Sequence, residues 1–128
     1  MIQPKFARYV FIGAGLWGMA VLLPLYFSTT SIGSQHPSPT SDPLFYFGFL
    51  AVTLAWQFAF LVIGSDPIRF RPLMVPAMLE KFIYIASVAV LWTRGQLPPS
   101  DVVVTTPDLV LGVLFVMAFL RTPRRGQT

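Results

Sequence analysis

Apolar runs alternate with short polar breaks along the whole chain, and the runs at 9–27, 44–64, 73–93 and 102–120 are each about 20 residues long. A helix of that length crosses about 30 Å, the hydrocarbon thickness of a bilayer, where only a helix or a closed barrel satisfies its own backbone. The pattern predicts an all-α, polytopic membrane protein: one antiparallel four-transmembrane-helix bundle over residues 1–128.

The four runs leave little material for a soluble catalytic domain or a large surface outside the bilayer. Composition agrees, with 55% apolar, 15% aromatic and 11% charged residues. There is no cysteine, hence no disulfide framework and no thiolate metal site. The net charge of +4 raises nucleic acid as a partner, but the basic residues flank the apolar runs and form no patch interleaved with aromatics, so none is expected.

Those basic residues instead set a topology. Lys5 and Arg8 precede the first run, Arg69 and Arg71 lie between the second and third, and Arg121, Arg124 and Arg125 follow the fourth; of the other two connections only Arg94 is basic. The positive-inside rule then places both termini and the 64–72 connection in the cytoplasm. The first run carries no small-residue cleavage site behind it and reads as a retained span.

Within the spans, small residues mark expected packing faces: Ala14 and Gly18 in the first, and Gly48, Ala51, Ala55 and Ala59 in the second. Pro24 is expected to bend or end the first helix. The 28–43 connection, STTSIGSQHPSPTSDP, reads as an exposed noncytoplasmic loop. His36 there lacks sequence neighbours to complete a metal site, and Asp42 before Pro43 reads as a helix start. Thr106, Pro107 and Asp108 give a similar start for the last helix, with Thr106 as cap and Asp108 either in an interfacial first turn or as the noncytoplasmic member of a polar path toward Glu80. A helix from there to Arg121 spans only about 22 Å, which calls for an embedded entrance or local thinning.

The candidate chemistry is polar residues inside apolar runs. Gln57, with Trp56 nearby, is a polar-core or ligand contact. Glu80, Tyr84 and Ser87 share one stripe of the third helix with Pro76, and the backbone near 72–76 is a possible pocket rim. Glu80 admits interhelical pairing, a ligand or redox-partner site, or proton and ion handling. Asp66, Arg69, Arg71 and Lys81 are assigned to the cytoplasmic turn or to phospholipid head groups, with Asp66 close enough to pair with Arg69; Lys81 also has the option of pairing with another helix. Glu80 and Asp108 are expected at opposite ends of the bundle, which weakens them as an acid/base couple. No metal ligand set, nucleophile elbow, P-loop or haem ligand pair is present.

The four-span size, the N-in topology and the charged cytoplasmic turn resemble small bacterial inner-membrane proteins of the broad DoxX-like kind, and the segments DPIRFRPLM and EKFIY are distinctive stretches to look for in relatives. The resemblance covers the architecture of nearly the whole chain and implies a fold and a bacterial inner-membrane location, with no active site carried over. The leading functional expectation is a non-enzymatic module, a homo-oligomer or an accessory subunit of a larger membrane complex. Next comes an intramembrane binding protein or enzyme for a lipid, quinone or sterol, and after it a proton or solute channel. Membrane lipids are the expected partners, bound phospholipid the plausible occupant, and the cofactor is unknown.

Overall fold

The computed structural model describes residues 4–27 and 43–126, so the expectations for His36 and Asp42 lie outside it. The helices are α1 (Lys5–Phe27), α2 (Pro43–Ser65), a 3-10 turn (Arg71–Leu73) leading into α3 (Met74–Thr93), then α4 (Pro99–Val104) and α5 (Thr106–Arg121). Four stretches of 23 residues, 5–27, 43–65, 71–93 and 99–121, are long and apolar enough to cross a membrane. Only 17–28% of the residues in their apolar cores are buried inside the bundle. Large side chains such as Leu16, Phe45, Phe58 and Leu120 face outward, a surface suited to hydrocarbon and not to water.

Each helix end has a local cause. Pro24 lies within α1 without ending it, and the helix continues to Phe27. There the Tyr46 hydroxyl donates to the Leu25 carbonyl at 3.1 Å, one of the orphan acceptors of a helix C-terminus. Pro72 and Pro76 both fall in first turns, where a missing N–H removes no helical bond. Gly95, at φ 69°, closes α3: its N–H reaches the Trp92 carbonyl and that of Gln96 reaches Leu91, satisfying two terminal acceptors.

The last span starts earlier than the sequence suggested. Pro99 supplies the first helical turn, and Thr106 is a helical residue, not a cap. Pro107 has no N–H for the Val103 carbonyl, so the chain makes a joint at Thr105 and does not stop: Asp108 N–H reaches the Thr105 carbonyl at 3.0 Å, as Leu109 N–H does at 3.2 Å. The combined 99–121 stretch is about 34 Å long, which removes the need for local thinning. Asp108 thereby moves from the interface to about 14 Å inside the span.

The core is concentrated at one end. Ala7 and Phe11 of α1, Phe60 and Ile63 of α2, Met74 and Ala77 of α3, and Phe115 and Ala118 of α5 are all buried there. Phe11 stacks on Phe115 with centroids 4.4 Å apart, and Phe60 meets Phe115 edge-on at 4.9 Å. Each such pair adds about 0.5–1.5 kcal/mol beyond simple burial. This is the basic end. The 66–70 turn docks beneath the core through buried Pro67 and Ile68, and the Asp66 carboxylate accepts the Arg69 main-chain N–H at 3.3 Å. Arg71 is not left to lipid: its Nε donates to the Thr122 carbonyl at 2.8 Å, and its guanidinium lies 3.9 Å from the Phe119 ring centre. Truncating Arg71→Ala should cost about 1–2 kcal/mol, read as an earlier midpoint of unfolding in mixed micelles.

Contacts run from α2 to α1, from α1 to α5 and from α5 to α3, whereas α2 and α3 barely touch. The seam between α2 and α3 is therefore the weakly closed one. The small residues expected to pack α2 do not do so within the bundle: Gly48, Ala51 and Ala55 are exposed and Ala59 is half-buried. The face of α2 that packs carries Leu50, Gln57, Phe60, Ile63 and Gly64. Ala14 is buried as expected.

Candidate functional site

Above the core, in the half of the bundle away from the basic end, a partly open cleft of about 420 Å³ separates the helices. α1 lines it with Trp17, Gly18, Val21 and Leu22, and α2 with Phe49, Thr53 and Gln57. Glu80, Lys81 and Tyr84 of α3 face them, with Val103 and Val104 of α4 and Pro107, Asp108 and Leu111 of α5. The walls are mostly apolar and aromatic, and the polar groups gather at its inner end, a common build for a small-molecule site.

The inner end is organised by Lys81. The residue is 5% exposed, and its side chain is not extended to head groups. Nζ donates to Asp108 Oδ1 at 2.7 Å, lies 3.6 Å from Glu80 Oε2, and sits 5.5 Å from the centre of the Phe60 ring. Lys81 is about 15 Å along the stretch that starts at Arg71, and Asp108 about 20 Å from Arg121 in the antiparallel neighbour, so both lie near mid-depth. Glu80 and Asp108 accordingly share one ammonium, which overturns their expected placement at opposite ends. Two carboxylates thus surround one ammonium, with Glu80 the more distant of the two. Its Oε2 is enclosed and has no hydrogen-bond partner among the described residues.

Gln57 forms the α2 side. It is 2% exposed, and its Nε2 donates to the Thr53 carbonyl at 2.9 Å, one turn back. The amide head rests against Gly18, where any Cβ would collide with it, and one turn earlier Gly15 lets the α2 backbone at Gln57 approach. Close approach of α1 and α2 at these glycines is what holds the Gln57 amide in the cleft wall. The Thr53 hydroxyl donates to the Phe49 carbonyl at 2.7 Å.

Of the residues singled out in the sequence, Gln57, Glu80 and Tyr84 meet at the cleft, joined by Lys81, Asp108 and Gly18. Ser87 does not: it is exposed and its hydroxyl donates to the Ile83 carbonyl at 2.9 Å. Trp56 packs half-buried against Phe60 at 6.1 Å, outside the cleft, whose tryptophan is Trp17. The suspected rim at 72–76 belongs to the closed end, beside buried Met74 and Ala77. Trp17 and Phe49 had no distinguishing signal, because an aromatic residue on a lipid-facing helix looks the same in sequence as one on a cleft wall.

Fold and site define a small all-α membrane-spanning module with a charged cluster at mid-depth. No family model matches the chain, and no curated protein or solved structure matches it significantly.

Proposed function

We propose that the chain is an intramembrane binding module that takes an apolar molecule with a polar head into the cleft, head inward against Glu80, Lys81 and Asp108. The observation that carries this reading is that the buried charges and the cleft occupy the same place. Ionisable groups at mid-membrane are costly, and they are tolerated where they pair or line a cavity. Engagement of Lys81 by Asp108 and of the Thr53 hydroxyl by the Phe49 carbonyl supports binding over nucleophilic chemistry at either group.

With both termini cytoplasmic, the closed basic end faces the cytoplasm and the cleft reaches toward the other leaflet, from which the ligand enters between α2 and α3. The segregation of Lys5, Arg8, Arg69, Arg71 and Arg121 to one end supports that orientation. A bacterial inner membrane remains the proposed setting, with membrane phospholipid the first occupant to seek. A second reading, self-association or docking in a larger complex, is favoured by the outward stripe of Gly48, Ala51 and Ala55 on α2.

The test uses phosphatidylcholine nanodiscs and a Trp56→Phe, Trp92→Phe background, which leaves Trp17 as the single tryptophan. Energy transfer from Trp17 to a dansyl-alkyl probe should saturate and be displaced by its unlabelled counterpart. Transfer that only rises linearly with probe, as for partition into the bilayer, would remove the binding reading.

A further inference from the structure

The charged groups around the cleft are unbalanced, and the imbalance specifies a head group. Lys81 Nζ gives one N–H to Asp108, the Gln57 amide gives one N–H to the Thr53 carbonyl, and the Thr53 hydroxyl donates to the Phe49 carbonyl. On the acceptor side, Glu80 Oε2 is enclosed without a donor among the described residues.

Charge sets the choice. Glu80, Asp108 and Lys81 sum to one excess negative charge when all are ionised, and Asp108 holds Lys81 at 2.7 Å whereas Glu80 stands at 3.6 Å. In surroundings of low polarity an uncompensated carboxylate is expensive, and a hydroxyl head group does not neutralise it. An ammonium does both: it donates to Glu80 and cancels the charge. The lining suits the same guest, because it includes Trp17, Phe49 and Tyr84, and aromatic rings attract cations.

Resting on the binding reading above, we infer that the cleft selects a protonated amine on an apolar body, with the ammonium seated between Glu80 and the aromatic wall.

Three dansyl probes with the same body and linker, ending in an ammonium, an alcohol or a carboxylate, are titrated at neutral pH into the single-tryptophan protein in phosphatidylcholine nanodiscs. The ammonium probe should bind at least about tenfold more tightly than the alcohol, and the carboxylate should bind weakest. Glu80→Gln, which keeps the shape and removes the charge, should erase the preference of ammonium over alcohol. Glu80→Asp, with the charge kept, should retain part of the preference. Circular dichroism and gel filtration of each variant establish that it is folded before titration. Equal binding of the ammonium and alcohol probes, or a preference that survives Glu80→Gln in the folded protein, overturns the head-group inference alone. Failure of all three probes to saturate overturns the binding site itself.

Discussion

Replacing Lys81 with methionine is expected to destabilise the bundle by about 3–5 kcal/mol, the usual cost of removing one partner from a buried ion pair. Methionine matches lysine in length and flexibility, so the loss is electrostatic and not a matter of packing. With the ammonium gone, Asp108 and Glu80 face each other across a space that Lys81 now fills at 2.7 and 3.6 Å, and neither carboxylate has a replacement cation at hand. Lys81 also joins α3 to α5, the contact that closes that side of the bundle. Unfolding in mixed lipid–detergent micelles should show the midpoint moving to much lower denaturing-detergent fraction. An unchanged midpoint would mean that Lys81 is solvated and that the cluster is not part of the folded core.

The second large effect is on the ligand. Gly18→Leu places a branched side chain where any Cβ already meets the Gln57 amide head. Either α1 and α2 move apart, at about 1–3 kcal/mol for an overpacked contact, or Gln57 is displaced into the cleft and fills part of its roughly 420 Å³. Both outcomes should abolish the saturable energy transfer from Trp17. Gly13→Leu is the matched control: a Cβ added at Gly13 meets nothing within 4 Å, and binding should be unchanged.

The four spans were legible because length and apolarity alone define a membrane helix, and residues 9–27 or 44–64 differ from the observed helices only at their ends. Gln57, Glu80 and Tyr84 were legible for the same reason, as polar atoms inside apolar runs. Lys81 and Asp108 were not, because the reading of each depended on where its helix begins. Pro99 and Pro107 are both good first-turn residues, and choosing the second put Asp108 at the interface, whereas the helix starts at the first. Lys81 follows from Asp108: without a partner at its depth, a long cationic side chain reads as one that reaches for head groups.

Faces were harder still. In water the polar side of a helix declares which side is buried, but in lipid both sides are apolar and that signal disappears. Gly48, Ala51 and Ala55 make as good a small-residue stripe as any, yet the bundle uses Gly64 and the Gln57 side of α2 instead. The choice is made by what α1 offers, with Gly15 and Gly18 admitting the Gln57 region. Such complementarity between two helices is not written in either one alone.

The most direct measurement is a double-mutant cycle on the mid-depth pair, with Lys81→Met, Asp108→Leu and the combination unfolded under identical conditions. If the two side chains meet inside the bundle, the double variant should recover at least about 2 kcal/mol relative to the sum of the single losses, because the Asp108 carboxylate is then not left without its ammonium. Strictly additive losses would contradict the pairing, and with it the placement of the charged cluster at the inner end of the cleft.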